Sequence, residues 1–185
     1  MANKVLLAIV GMAGSGKSEV TAYLRTLGIP VVRFGDLTDI ALQEKGLPLT
    51  QENERVFRED IRKKEGMAAY AVLARPQIDS LFLQNDTIAI NGLYSWEEYT
   101  YLAKAFPGII LVHVFVPRAK RYERLGKRAV RPIPMQQCYE RDVLEIEKLN
   151  KGGPIAIADY MVDNSGDNLD MLHAQIDAVL GKIGM

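Results

Sequence analysis

Cysteine is almost absent from these 185 residues: Cys138 stands alone, so no internal disulfide can form, and the chain suits a reducing compartment. Net charge is absent too. The 23 basic residues balance 23 acidic ones, which removes any global attraction to nucleic acid or to an anionic membrane. No apolar run reaches the length of a transmembrane helix, and no repeat or low-complexity segment occurs. A composition of 48% hydrophobic and 25% charged residues excludes a disordered or fibrous chain. The N-K-x-D guanine reader of a switch GTPase is missing, and the chain is short for a DNA helicase. The length is that of one domain able to bury a core.

What is present begins at GMAGSGKS, Gly11–Ser18, after the apolar run VLLAIV and before SEVTAYLRTL. Gly11, Gly16, Lys17 and Ser18 match G-x-x-x-x-G-K-[ST]. A strand delivers the chain to a loop without Cβ atoms at Gly11, Gly14 and Gly16, so the backbone can aim its N–H groups at one point. The helix starting near Gly16 adds the positive end of its dipole. The pattern predicts a nucleoside triphosphate with Mg²⁺, Lys17 on the β- and γ-phosphates and Ser18 on the metal. Met12, Ala13, Ser15 and Glu19 complete the expected donor contacts. The competing reading, a glycine-rich turn with an exposed lysine, leaves the strand before it and the helix after it unexplained. Lys4 and the run after it superficially resemble a signal peptide, but cleavage there would destroy the loop, so a cytoplasmic protein is expected.

Strand-like runs recur at Ile29–Phe34, Thr87–Gly92, Ile109–Pro117 and Tyr160–Asn164, with helical segments between them. That alternation predicts an α/β three-layer phosphate-loop fold, a five-stranded parallel sheet flanked by helices, with right-handed crossovers. The apolar fourth run is expected in the centre of the sheet. The expected core comprises 1–35, 86–117 and 154–185. Two excursions interrupt it: a helical acceptor-side insertion at about 36–85, broken at Gly46–Pro48 and Gly66, and a lid region at about 118–153. Cys138 is expected as a half-buried helix residue.

Four constellations could carry chemistry. Between Arg118 and Arg131 stand seven cations and one carboxylate, with Arg121, Arg124 and Arg128 spaced i, i+3, i+7 on one expected helix face. Such a face repels itself unless an anion crosses it, which predicts a lid over the γ-phosphoryl; the alternative is pairing with the acidic helix Glu140–Glu147. Gly35 and Asp36 follow the second strand, on the edge where open α/β sheets bind ligands. Asp36 could take a hydroxyl proton, orient magnesium water, or simply cap the next helix. Asn91 and Gly92 end the third strand, where many phosphate-loop enzymes place an acid. Arg58 and Arg62, with Arg55, could offer guanidiniums to an acceptor phosphate or lie in a salt-laced helix face.

These residues carry a resemblance. GMAGSGKS resembles the G-x-x-G-S-G-K-S loop of dephospho-CoA kinases, and Asp36 is similar in position to that family's catalytic aspartate. ADYMVDNSGDNLDML, Ala158–Leu172, looks like its A-D-x-x-[IV]-x-N-x-G segment, which implies that Asn164 and Ser165 lie near the adenine. FGDL is similar to the S-x-G-D-[ML] turn of adenylate kinases, and RYERLGKR to their arginine-bearing lid helix, which implies roles for Arg121, Arg124 and Arg128. Archaeal-type relatives of both share G-D, R-x-x-R-L and E-R-D, here Gly35–Asp36, Arg121–Leu125 and Glu140–Asp142. The chain departs where adenylate kinases keep an arginine after G-D, with Thr38 and Asp39 there instead, and where it reads NGLYS for D-G-F-P-R.

The expectation is an ATP-dependent kinase with Mg²⁺, a phosphotransferase for a small nucleotide-like acceptor. A dephospho-CoA-type hydroxyl is placed ahead of a nucleoside monophosphate. Lys17, Asp36, Arg121 and Arg128 are the expected catalytic residues; Arg58, Arg62, Gly35, Asn91 and Gly92 join Asp36 on the acceptor. The alternative is a nucleotide-binding switch without catalysis. A nucleic-acid reader is disfavoured, because Tyr122 is the only aromatic residue in the basic cluster.

Overall fold

Alternation along VLLAIV decides the architecture. In β1 (Val5–Val10), Leu6, Ala8 and Val10 enter one apolar core while Leu7 and Ile9 enter another. A strand buried on both faces needs helices on both faces. The computed structural model, which describes residues 4–129 and 132–185 and only the backbone of Gln51, shows that arrangement. Val130 and Arg131, part of the expected lid, lie outside the described residues.

The chain continues through α1 (Lys17–Thr26), β2 (Val31–Arg33), α2 (Phe34–Glu44), α3 (Gln51–Glu65), α4 (Ala69–Leu81) and β3 (Thr87–Asn91). Then come α5 (Trp96–Ala105), β4 (Ile109–Phe115), α6 (Arg118–Gly126), α7 (Met135–Glu147), α8 (Gly152–Ala156), β5 (Tyr160–Asp163) and α9 (Leu169–Lys182). The five strands are parallel in the order β2-β3-β1-β4-β5. One core joins the sheet to α4 and α5 through Tyr70, Ala74, Ile78 and Leu102. The other joins it to α1 and α9 through Val20, Leu24, Leu172 and Ile176. A third, small cluster of Ala13, Tyr122, Leu125, Ile133 and Cys138 ties the loop after β1 to α6 and α7.

The chain leaves β1 toward β2 and later crosses to β4 on the other side. A crevice therefore opens outside the carboxyl ends of β1 and β3. Register lines up its floor: Asn91 pairs with Ile9 on one side and with Arg33 on the other.

Several expectations change. The second strand stops at Arg33, because Phe34 turns fully into the core as the first residue of α2. Strand β4 contains His113 and lies between β1 and β5, so β1 holds the middle place. Helix α6 ends at Gly126 with Lys127 as its C-cap, so Arg128 is not on the helix and shares no face with Arg121 and Arg124. Cys138 is wholly buried rather than half-buried, and burial raises its thiol pKa.

Candidate functional site

The phosphate loop is fixed from outside as well as by its glycines. Ser15 donates its N–H to the Met12 carbonyl (3.2 Å), and the Gly16 carbonyl accepts from Glu19 (3.0 Å), which starts α1. The first N–H groups of that helix have no intrahelical partner and point to the crevice. Gly16 has φ 91°, and a Cβ there would come within 2.1 Å of Asn164 Nδ2. That amide donates to the Ser15 carbonyl at 2.9 Å, so Asn164, buried at the end of β5, braces the loop from behind. Ser15 Oγ is buried with no hydrogen-bond partner.

Lys17 lies across the loop, donating to the carbonyls of Gly11 (2.8 Å) and Met12 (3.0 Å). Its pKa is well below the ordinary lysine value. Burial is the main cause; Lys151, Arg141 and Arg128 push the same way, and the Glu145 carboxylate opposes them. Ser18 and Glu19 are exposed in the first turn of α1.

Arg121 takes a different place from the one expected. Its guanidinium makes a two-point pair with Asp142 of α7 (3.0 and 2.6 Å) and donates to the Ala13 carbonyl (3.0 Å). Both side chains are buried, and the Tyr122 hydroxyl donates to the same carboxylate at 3.0 Å. Arg121 thus supports the loop instead of covering it, the alternative of pairing with the acidic helix, because the Asp142 carboxylate of α7 claims its fork. Arg124 donates to the carbonyls of Asn164 and Gly166, both at 2.8 Å, and links α6 to the loop after β5. Ser165 is held in that loop by Asp163, which accepts from its N–H at 2.8 Å.

At the other edge, Asp36 is half exposed in the first turn of α2 and pairs with Arg33 at 3.1 Å; it is not the N-cap, which is Arg33. Gly35 precedes it on the same turn. Asn91 is buried and donates from Nδ2 to Thr21 Oγ1 of α1 at 3.2 Å, so it ties β3 to the helix that starts in the phosphate loop. Gly92 has φ 109° and passes within 3.1 Å, measured from a Cβ placed there, of both Phe34 and Tyr94, which leaves no room for a side chain. Thr38, at the position where an adenylate kinase arginine was missed, is buried and shares a 2.6 Å hydrogen bond with the Tyr70 hydroxyl.

On α3, Arg55 is spent on Glu52 and Glu59, and Arg58 on Glu54 (3.1 Å). Arg62 turns inward over the Tyr70 ring, 5.1 Å from its centroid, and its Nε is buried without a hydrogen bond. Arg62 also acts electrostatically on Glu98, a wholly buried carboxyl on α5. Glu98 completes a capping box: Oε2 accepts from the N–H groups of Tyr94 (2.7 Å) and Ser95 (3.2 Å), and Oε1 has no partner. Burial raises its pKa from 4.5 to about 7, against the pull of the Tyr94 N–H, Arg62 and the Ser95 N–H.

Lys151, at the N-cap of α8, is 2% exposed and reaches Glu145 Oε2 at 2.6 Å. The other oxygen of Glu145 accepts from Arg141 Nε at 3.2 Å. Burial would raise the Glu145 pKa, but Lys151, then Arg141, hold it at about 2, so it is a fixed anion. The Lys151 ammonium lies 4.9 Å from the centroid of the Tyr94 ring.

Comparisons with known proteins give the family and the fold. A family described as an AAA domain matches residues 7–154. A UPF0200 protein of Pyrococcus abyssi is 32% identical over 183 residues, covering 97% of each chain. One from Aeropyrum pernix is 34% identical over 172 residues, 91% of this chain and 89% of that one. The chain belongs to the UPF0200 family and carries its AAA-type domain. Among solved structures, TT1252 from Thermus thermophilus has a TM-score of 0.63 at 20% identity, covering 99% of this chain and 100% of that one. A shikimate kinase from Bacteroides thetaiotaomicron has a TM-score of 0.62 at 12% identity, covering 98% and 99%. At these identities the likeness establishes the fold, that of small phosphate-loop kinases.

In this UPF0200 chain the residues missed by motif reading are Glu98 and Lys151, while Tyr94, Arg141 and Glu145 lie inside the stretches NGLYS, E-R-D and Glu140–Glu147 without a role of their own. The S-x-x-E spacing of Ser95 and Glu98 is a capping-box signal that could have found the buried acid. Nothing local marks Lys151, which follows an acidic helix as an ordinary C-terminal lysine would.

Proposed function

We propose that the protein is an ATP-dependent phosphotransferase that moves the γ-phosphoryl of Mg-ATP to a small nucleotide-like acceptor. A dephospho-CoA-type hydroxyl ranks ahead of a nucleoside monophosphate. The observation that carries this reading is the charge at the crevice. Among the described residues the hydrogen bonds of Lys17 go to carbonyls alone, and the charges it feels most strongly are three cations and one carboxylate. Such a group asks for a polyanion, and in a loop of backbone amides a triphosphate fits it.

The residues present suit the donor and its metal. Ser15 Oγ is an orphaned buried hydroxyl inside the loop, and Ser18 Oγ stands exposed beside it. Magnesium bound to phosphates needs only one or two protein ligands, so Ser18 would hold it, and it would neutralise charge on the triphosphate. Among the described residues no group of three His, Cys, Asp or Glu forms a separate metal site.

In this reading Gly11–Ser18 cradle the phosphates, with Glu19 beside them, while Arg124, Asn164 and Ser165 wall the nucleoside side. Lys17 leaves the Gly11 and Met12 carbonyls for the β- and γ-oxygens, and Arg128 approaches from the lid. Phosphoryl transfer needs alignment and positive charge more than covalent chemistry, and both are supplied here. In this reading Gly35 and Asp36 face the acceptor and Asp36 orients its hydroxyl, Arg58 and Arg62 turn to the acceptor from Glu54 and the Tyr70 ring, and Asn91, held by Thr21, shapes the floor with Gly92. Solved structures of the same fold include kinases named for shikimate and gluconate, which supports a small-molecule acceptor. The region 36–85 serves as the acceptor side and 118–153 as the lid. Among the described residues no helix is long and apolar enough to cross a membrane.

A nucleotide switch without catalysis is the second reading, favoured by Asn91, whose uncharged amide is engaged with Thr21. Incubation of Mg-ATP with dephospho-CoA and with the common nucleoside monophosphates, reading ADP, separates the two. Acceptor-stimulated ADP release that falls by about 10²-fold or more in Lys17→Ala is the kinase result. Tight ATP binding with no acceptor effect is the switch result and overturns the proposal.

A further inference from the structure

Lysine is seldom fully buried, because removing its charge from water costs several kcal/mol unless a partner compensates. Lys151 is 2% exposed, the only lysine among the largest fully buried side chains of the described residues. Its compensation is incomplete. An ammonium has three donors, and Glu145 is its only hydrogen-bond partner among the described residues. Glu145 is shared with Arg141, so one carboxylate serves two cations.

The surroundings fix where Lys151 stands. Its residue follows Asn150, whose Nδ2 donates to Glu97 Oε1 of α5 at 3.0 Å. Two residues later Gly153 packs so closely on Trp96 that an added Cβ would lie 2.6 Å from the indole. With the Tyr94 ring against its ammonium, Lys151 is held beside the segment that follows β3, at the carboxyl end of the sheet, where Asn91 pairs with Ile9 of the strand that leads into the phosphate loop. Among the charges acting on Lys17, that of Lys151 is felt most strongly. Two lysines, one in the phosphate loop and one held beside the end of β3, thus belong to the same end of the sheet, and the hydrogen bonds of Lys17 among the described residues go to carbonyls and none to a carboxylate.

We infer that Lys151, aimed by Glu145 and seated on Tyr94, is a second phosphoryl-binding cation, which takes oxygens of the γ-phosphate while Lys17 takes the β- and γ-oxygens from the loop. This rests on the nucleotide reading given above. When Lys17 swings off the carbonyls of Gly11 and Met12, the phosphate enters between the two ammonium groups and satisfies the donors that Glu145 leaves unspent. The ligand chemistry is the terminal phosphoryl of a nucleoside triphosphate, so a diphosphate does not reach Lys151.

Calorimetry with Mg-ADP and with the non-hydrolysable analogue Mg-AMP-PNP tests this on the full chain. Lys151→Met is expected to weaken AMP-PNP by about tenfold or more while ADP binds as before, the size of losing a hydrogen bond to a charged group. Lys151→Met with Glu145→Gln, which removes the buried cation together with its buried carboxylate and leaves only the half-exposed Arg141 without its partner, keeps the fold even where the single variant does not, and shows the same selective loss. Equal weakening of both nucleotides, or recovery of AMP-PNP binding in the double variant, makes Lys151 a mere counterion of Glu145 and overturns the inference. A wild-type chain that binds neither nucleotide overturns the nucleotide reading and this inference with it. Normal binding with an unchanged ratio in both variants overturns this inference alone.

Discussion

In the phosphate loop the positive character comes from backbone N–H groups and one lysine, on consecutive residues, and the loop is braced by hydrogen bonds to its carbonyls, from the Asn164 amide to Ser15 and from the Arg121 guanidinium to Ala13. On the wall beside the end of β3 it comes from side chains, Arg141 and Lys151 around Glu145, seated against Tyr94 from a different segment of the chain. The loop holds its shape by geometry. The wall holds its shape by a balance of charge, and that balance is short of anions.

The largest effect on folding should come from the brace beneath the loop. Arg121→Ala leaves Asp142 buried without its partner, and a change of this kind costs about 3–5 kcal/mol. Chemical denaturation measures it; a loss below about 1 kcal/mol would mean that the pair is a surface-like contact. Because Arg121 also holds the Ala13 carbonyl, nucleotide affinity should fall along with stability.

Next comes Glu98, on the wall side. Its folded pKa of about 7 lies above the ordinary 4.5, so between these values the folded chain holds a proton that the unfolded chain has released. Stability therefore falls as pH rises from about 4.5 to 7, by roughly 3 kcal/mol in all. Glu98→Gln keeps an oxygen for the N–H groups of Tyr94 and Ser95 and cannot ionise. Its melting temperature should match or trail wild type at pH 5 and exceed it at pH 8. Parallel pH curves for the two proteins would refute the shift.

A smaller effect is expected at Asn164, where Ala removes the donor to the buried Ser15 carbonyl, at about 1–3 kcal/mol. The loss should appear more in ATP affinity than in melting temperature, since the contact shapes the loop; the reverse order would make Asn164 a packing residue. The least effect belongs to Arg55, whose exposed pairs with Glu52 and Glu59 should leave both melting and nucleotide binding unchanged in Arg55→Ala.

The comparison also explains what could be read from the chain alone. A phosphate loop is local: strand, glycines, lysine, hydroxyl and helix occur in order, and so do the alternating strands that build the parallel sheet. Arg121 was legible in two readings, and the structure bears out the alternative, pairing with the acidic helix Glu140–Glu147, through Asp142; that the pair is buried beneath the loop was not legible, because it depends on how two helices pack across a turn. Lys151 was not legible, since burial is a property of packing and Lys-Gly-Gly after an acidic helix has the composition of an exposed turn. Thr38 and Asn91 lie between these cases. Sequence shows that charged clamps are missing there, and structure shows that the replacements are core hydrogen bonds to Tyr70 and Thr21.

The most direct measurement is a titration of the purified chain with Mg-ATP and Mg-GTP, with Lys17→Ala as control. The account predicts saturable 1:1 binding of at least one of them, weakened in the control while its melting profile stays cooperative. Absence of binding for both triphosphates, or binding that is indifferent to Lys17, would contradict it.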